Sequence, residues 1–336
     1  MKYLNRKAGT ETGLSPGAAV DYRSACKYPG LREPAGQLRR CPRFGHPAST
    51  WKWPAVLCLL TLVIGCVSLP AQQPYAIAHD PTPNAHAPTR NIETVIDSHG
   101  SRIMGMMLLA SGMQSHRTVI LLHGFPGYEQ NMDLAQALRR DGWGVLAMHY
   151  RGSWGSQGTF SFTHCMEDAG AMLAFLRDPA NAAKFHVDPR RIVVIGHSMG
   201  GFMAVAAMAQ HPQIAAAVVI SEGSPIINGP SFFGKKSDPA DYAPLAGTSP
   251  AALQREAEAN AEAWSFAALA AKIAPRPVLD ITSGDGLHAS NRKLVAALIH
   301  AGSRVSSLHM DTDHDFTDHR IALEATVLAW LDKTVE

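Results

Sequence analysis

Cysteine is scarce in this sequence and poorly placed for cross-linking. Of the five cysteines, Cys26, Cys41, Cys58 and Cys66 fall near the N-terminus, and Cys165 alone follows them. A lone thiol cannot close an internal disulfide, so the bulk of the chain does not belong to the disulfide-dependent class. No Cys-x-x-Cys or Cys/His pairing at zinc-site spacing occurs, which excludes a structural zinc module. Charge is also sparse. Asp, Glu, Lys and Arg make up 17% of the 336 residues against 46% apolar residues, the balance of a chain that buries a core. Excess positive charge is missing where a nucleic-acid binder would carry it. Residues 1–52 hold ten Lys or Arg against three Asp or Glu, so everything after them is net acidic although the whole chain is +2. No nucleic-acid partner is expected.

Long apolar runs are absent too. The longest, Pro54–Leu69, has sixteen residues, short of the roughly 20 of a membrane span but suited to a signal-peptide core. Three readings stay open for segment 53–71. It is a lipobox leader with Cys66 as lipid acceptor, a leader cleaved near Ala71, or an uncleaved membrane anchor. Each predicts export from the cytoplasm, as a periplasmic, secreted or membrane-attached protein. Residues 1–52 read as a basic, disordered extension, and 72–89, rich in Pro, Ala and His, as a linker.

From Arg90 to the C-terminus, strand-like and helix-like segments alternate. Ile92–Ile96 and Arg102–Leu109 predict a strand pair around Ser98-His99-Gly100. Thr118–Leu122, Gly144–His149, Arg191–Ile195, Ala216–Ile220, Val278–Thr282 and Arg304–His309 predict further strands. Helical spacing falls at Asn131–Arg140, Cys165–Arg177, Phe202–Gln210, Asn291–Ala301 and Arg320–Leu331. Such alternation implies an α/β fold, with a mostly parallel central sheet of about eight strands flanked by helices. Residues 222–274 break the rhythm and read as a small helical lid insertion.

Two motifs carry chemistry. Arg191–Gly201 reads RIVVIGHSMGG, which places Gly196-His197-Ser198-Met199-Gly200 on a strand-to-helix turn. A serine projected there needs small residues two positions to either side, which Gly196 and Gly200 supply. The backbone N–H of Met199, at the start of a helix, is then placed to face an oxyanion. Upstream, Val119–Gly127 reads VILLHGFPG, an apolar strand running into a turn that contains Gly124.

These motifs resemble the α/β-hydrolase superfamily over Arg90 to the C-terminus. The stretch HYRGSWGSQGTFSF, taken with GHSMGG, is similar to the branch of dienelactone hydrolase-like enzymes and prolyl oligopeptidase catalytic domains. The resemblance implies Ser198 as nucleophile, the backbone N–H groups of Phe125 and Met199 as oxyanion donors, and His123 as a structural brace. It implies His314 as base, in the loop after the last strand with Phe316 two residues on. Asp285, beyond the strand PVLDIT, is the implied acid, with Asp280 and Glu222 as alternatives. The spacing of His309, His314 and His319 puts them on no common face, so no metal is expected. Arg151 reads as a structural arginine that holds loops together.

The resemblance implies a serine hydrolase without a cofactor, acting on a small to medium-sized carboxylic ester. A peptidase or amidase, or an idle binding scaffold, are the alternatives. Phe232, Phe233 and Trp264 of the insertion are candidates for lining the substrate pocket.

Overall fold

Unbroken apolar runs decide the central parallel strands, and alternation and turn chemistry decide the first hairpin. The computed structural model describes residues 74–229 and 238–336. Strands β1 (Arg90–Ser98) and β2 (Ser101–Leu109) pair antiparallel. Between them His99 and Gly100 take φ of 51° and 78°, the double positive φ of a tight hairpin turn whose twist matches the strands. Then follow β3 (His116–Leu122), β4 (Gly144–Met148), β5 (Val187–His197), β6 (Ala217–Ile220), β7 (Pro277–Thr282) and β8 (Arg304–His309). The eight strands form one sheet in the order β1-β2-β4-β3-β5-β6-β7-β8. β2 runs antiparallel to β4, and every pairing from β4 through β8 is parallel. A largely parallel sheet needs cover on both faces, because its crossovers are helices.

The central strands alternate between two cores. Val119, Leu121, Val193, Ile195, Val218 and Ile220 face one core, shared with α2 (Met132–Arg140) and the C-terminal helix α9 (Arg320–Thr334). Ile120, Leu122, Val194 and Val219 face the other. That second core is closed by α3 (Phe162–Arg177), α5 (Met199–Gln210) and α8 (His288–Ala301). Strand alternation thus sorts each residue to a face, and helix stripes meet it from either side.

Two short helices escape the hydrophobic pattern. Within the linker, α1 (Tyr75–Ala78) docks through buried Ala76, whose carbonyl accepts from Arg140 Nε at 2.6 Å. After α3, Asp178 caps α4 (Pro179–Phe185) by accepting from the Asn181 N–H, with Pro179 at its first turn.

Between β6 and β7 the described insertion combines short helices with turns. A 3₁₀ turn, Pro239–Tyr242, precedes α6 (Pro250–Ala259) and α7 (Phe266–Ala270). Leu253, Trp264, Phe266 and Leu269 bury it on the α3/α5 side.

The expectation of a signal peptide, lipidated leader or membrane anchor is corrected. Segment 53–71, with Cys66, lies outside the described residues, and among those described no helix is long and apolar enough to cross a membrane. The longest, α3, has 16 residues, about 24 Å at 1.5 Å per residue against a hydrocarbon core of about 30 Å. It also carries Glu167 and Asp168.

Arg151, just beyond β4, ties three segments together. Its backbone N–H donates to Asp168 Oδ2 at 2.7 Å and its Nε to Oδ1 at 2.6 Å, while Ser98 Oγ donates to the same Oδ1 at 2.6 Å. Nη2 reaches the His164 carbonyl and the Glu167 carboxylate. Asp168 is fully buried, so removing its partner strands a charge. Arg151→Met is expected to lower unfolding free energy by about 3 kcal/mol, as breaking a buried pair does, read as a fall in the urea midpoint. Adding Asp168→Leu should restore part of the loss.

Candidate active site

The site sits at the C-terminal edge of the sheet, where β3, β5, β6, β7 and β8 all release their loops. Its sharpest feature is backbone strain at Ser198, which holds φ 56° and ψ −125° between β5 and α5. That conformation costs a non-glycine residue on the order of 1–3 kcal/mol and persists only where its surroundings fix it. Here the chain leaves no room to relax. A Cβ on Gly196 would stand 1.9 Å from the Gly200 carbonyl oxygen, and one on Gly200 would stand 2.1 Å from the Leu122 carbonyl oxygen. Strand, turn and helix therefore touch backbone to backbone, and the Ser198 N–H donates to the Ile220 carbonyl at 2.9 Å.

The β3 loop closes on the turn from one side. A Cβ on Gly124 would lie 3.0 Å from Ser198 Cβ, so Phe125 follows at the mouth of the site. His123, beneath it, is buried, and its Nδ1–H donates to the Gly124 carbonyl at 2.8 Å. Burial pushes its imidazole down to about 4, so it stays neutral and acts as a brace, as the sequence suggests. Gly223, after β6, keeps the ground in front of the serine open. A Cβ there would lie 3.4 Å from Ser198 Oγ and 3.5 Å from Met199 N.

His314 Nδ1–H donates to Asp285 Oδ2 at 2.6 Å. Burial raises the Asp285 carboxyl, but the bonds from His314 and the Leu287 N–H outweigh it and hold the group at about 2. The two loops are tied to each other, because the Gly284 N–H donates to the Thr312 carbonyl at 2.9 Å. Phe316, at φ 57° and fully buried, anchors the His314 loop in the core. His197, which the sequence gives no role, holds this loop directly: its Nε2–H donates to the His314 carbonyl at 2.8 Å. Burial brings that imidazole to about 3, which leaves it neutral. An aromatic N–H donor beside the serine is the only sequence signal it leaves.

Ser198, His314 and Asp285 line one cavity of about 230 Å³, together with Phe125, Met199 and Phe162. Its remaining described wall comes from the turn after β6 and from Leu287, and no Lys or Arg stands in it. Trp264 needs correction as a lining residue. It is buried behind the wall, edge-on to Phe162 at 6.3 Å and to Phe202 at 6.2 Å. Phe232 and Phe233 lie outside the described residues. The other histidines of the C-terminal cluster diverge from the cavity. His309 Nδ1 pairs with Thr282 Oγ1, and His319 with Asp318 at the start of α9.

The two alternative acids stay away from His314. Asp280, inside β7, accepts from Ser307 Oγ at 2.9 Å. Burial raises it to about 6, with the Ser307 bond acting against the rise. Glu222 is fully buried with neither carboxyl oxygen hydrogen-bonded, and burial plus the nearby Asp280 push it well above the ordinary range. A carboxyl raised on folding favours the folded state below its unfolded value, near 4, and loses that advantage as pH rises through the folded one. Asp280→Asn should therefore gain stability relative to the parent between pH 4 and pH 7, by up to about 3 kcal/mol. Urea midpoints across that range read the gain directly, and a constant difference between the two proteins would exclude a raised Asp280.

The family profile described as alpha/beta hydrolase fold matches residues 117–274, a little under half of the chain. No curated protein sequence matches it. Among solved structures it is similar to a Pyrococcus horikoshii acylaminoacyl peptidase, at 17% identity and a TM-score of 0.57. That alignment covers 74% of this chain but only 42% of the peptidase. The thermophilic carboxylesterase EstE1, cloned from a metagenomic library, aligns at 20% identity and a TM-score of 0.56, over 74% of this chain and 91% of the esterase. A Pyrococcus furiosus esterase aligns at 17% identity and a TM-score of 0.57, over 76% and 98% respectively. Strand order, strand-to-helix serine turn and family match agree on an α/β-hydrolase fold.

Proposed function

We propose that this protein is a serine hydrolase acting on small, uncharged carboxylic esters through an acyl-Ser198 intermediate. The observation that carries the reading is the 2.6 Å bond between His314 and Asp285, on the cavity that Ser198 also lines. An imidazole whose Nδ1–H is held by an ionised carboxylate keeps Nε2 free to accept the serine proton. Ser198 Oγ then adds to the acyl carbon, and the oxygen it charges is received by the N–H groups of Phe125 and Met199. His314 returns the proton to the departing alcohol, and water, activated the same way, releases the acid.

Size and polarity support the substrate class. The cavity is smaller than the roughly 300–1,000 Å³ of sites for drug-sized ligands. Its described wall is mostly apolar and carries no Lys or Arg. Two of the similar structures are esterases. Likeness to the acylaminoacyl peptidase, and the HYRGSWGSQGTFSF stretch, favour an amide-cleaving second reading. It ranks second because the esterases align over 91% and 98% of their own lengths.

Turnover of nitrophenyl acyl esters of increasing chain length tests the proposal. The parent should be active on the shorter esters, and Ser198→Ala should abolish that activity. Asp285→Asn should lower kcat by roughly 10³–10⁴-fold, since the imidazole loses the partner that fixes its tautomer. Ester turnover surviving in Ser198→Ala, or anilide and peptide turnover exceeding ester turnover, would overturn it.

A further inference from the structure

One carboxylate of the insertion is bound to the start of a helix that walls the candidate cavity. Glu256, in α6, accepts from the Phe162 N–H at 3.0 Å and from the Thr163 N–H and Thr163 Oγ1, both at 2.7 Å. These are the first residues of α3, where backbone N–H groups lack partners within the helix and an anion meets the positive end of its dipole. Ser161 Oγ satisfies a further one by accepting from the His164 N–H. The start of α3 is therefore fixed in place by a residue more than ninety positions away.

What that contact fixes is a wall of the cavity. Phe162 is almost completely buried and lines the cavity with Ser198. Its ring stands edge-on to Phe160 at 6.4 Å and to Trp264 at 6.3 Å, and Trp264 in turn packs on Phe202 of α5. Phe160 packs edge-on to Phe125 at 5.7 Å, and Phe125 to Tyr242 of the insertion at 5.4 Å. An aromatic ring confined by other rings on two sides cannot swing aside to admit a longer chain, because interiors this dense have no space to receive it.

We propose that Phe162 sets the length of the apolar arm that the site accepts, and that Glu256 is the positioning residue that holds Phe162 there. The substrates so selected are esters with short, uncharged chains. This inference rests on the serine-hydrolase reading of the same cavity.

The test compares Phe162→Ala, the milder Phe162→Leu, Glu256→Ala and Glu256→Gln with the parent. Two ester series are used, one lengthened in the acyl chain and one in the alcohol. In Phe162→Ala the ratio of kcat/KM for long over short esters should rise at least tenfold in one series, the lower end of what a methylene contributes in an apolar pocket. Phe162→Leu should move it the same way by less. Glu256→Ala should relax selectivity in the same direction, through KM more than kcat. Glu256→Gln, which keeps one acceptor oxygen, should recover part of the parent profile. A folded, active Phe162 variant with the parent profile in both series would overturn the inference while leaving the serine-hydrolase reading intact. A Glu256→Ala protein that loses only thermal stability would remove the positioning role. A folded parent inactive on every ester would overturn both the reading and the inference.

Discussion

Everything at the candidate site depends on one strained residue, Ser198, held at positive φ between a strand and a helix that cannot move apart. The restraint is geometric rather than chemical. Gly196, Gly200 and the Leu122 carbonyl approach so closely that no side chain fits between them. That contact sets where β5 ends and where α5 begins, and it brings the β3 loop against the serine. It also makes the turn dependent on the core beneath, since the strands that hold it are packed on both faces. Strain is retained because the surroundings over-determine it.

Environment then separates three acids that composition cannot. Asp285 keeps its charge because His314 and a backbone N–H donate to it. Asp280 has a single hydroxyl donor and Glu222 has none, so burial decides both and drives them toward the neutral form. Two neutral histidines, His123 and His197, brace the loops on either side without competing for protons. Both owe that neutrality to burial. Among the described lining residues, His314 and Asp285 are the titratable pair beside Ser198.

Much of this was legible in the sequence. Unbroken apolar runs in β3, β5 and β6, buried on both faces, and the glycine spacing around Ser198 foretell the sheet and the turn, because both follow from local sequence and steric room. Ser198, His314 and Asp285, which the family resemblance singles out, line one cavity. Other features depended on contacts across long separations. α4 begins from a cap at Asp178 that hydrophobic periodicity does not register. Trp264 reads as a pocket residue from composition, yet Phe162 takes the wall and Trp264 packs behind it, a choice made by where α3 starts. Glu256 is indistinguishable from a surface charge until its partners on α3 are seen. The apolar run at 54–69 suggested a leader or anchor, and the described helices supply no span to support a membrane attachment.

The central claim is that Ser198 is a nucleophile activated by His314. Treating the full-length protein with an alkyl fluorophosphonate and mapping the adduct by peptide mass spectrometry tests it most directly. A single adduct on Ser198, formed at least a hundredfold more slowly in His314→Ala, is the expected result, since general-base assistance contributes about 10²–10⁴-fold. No adduct on the folded protein, or a Ser198 adduct formed equally fast without His314, would contradict it.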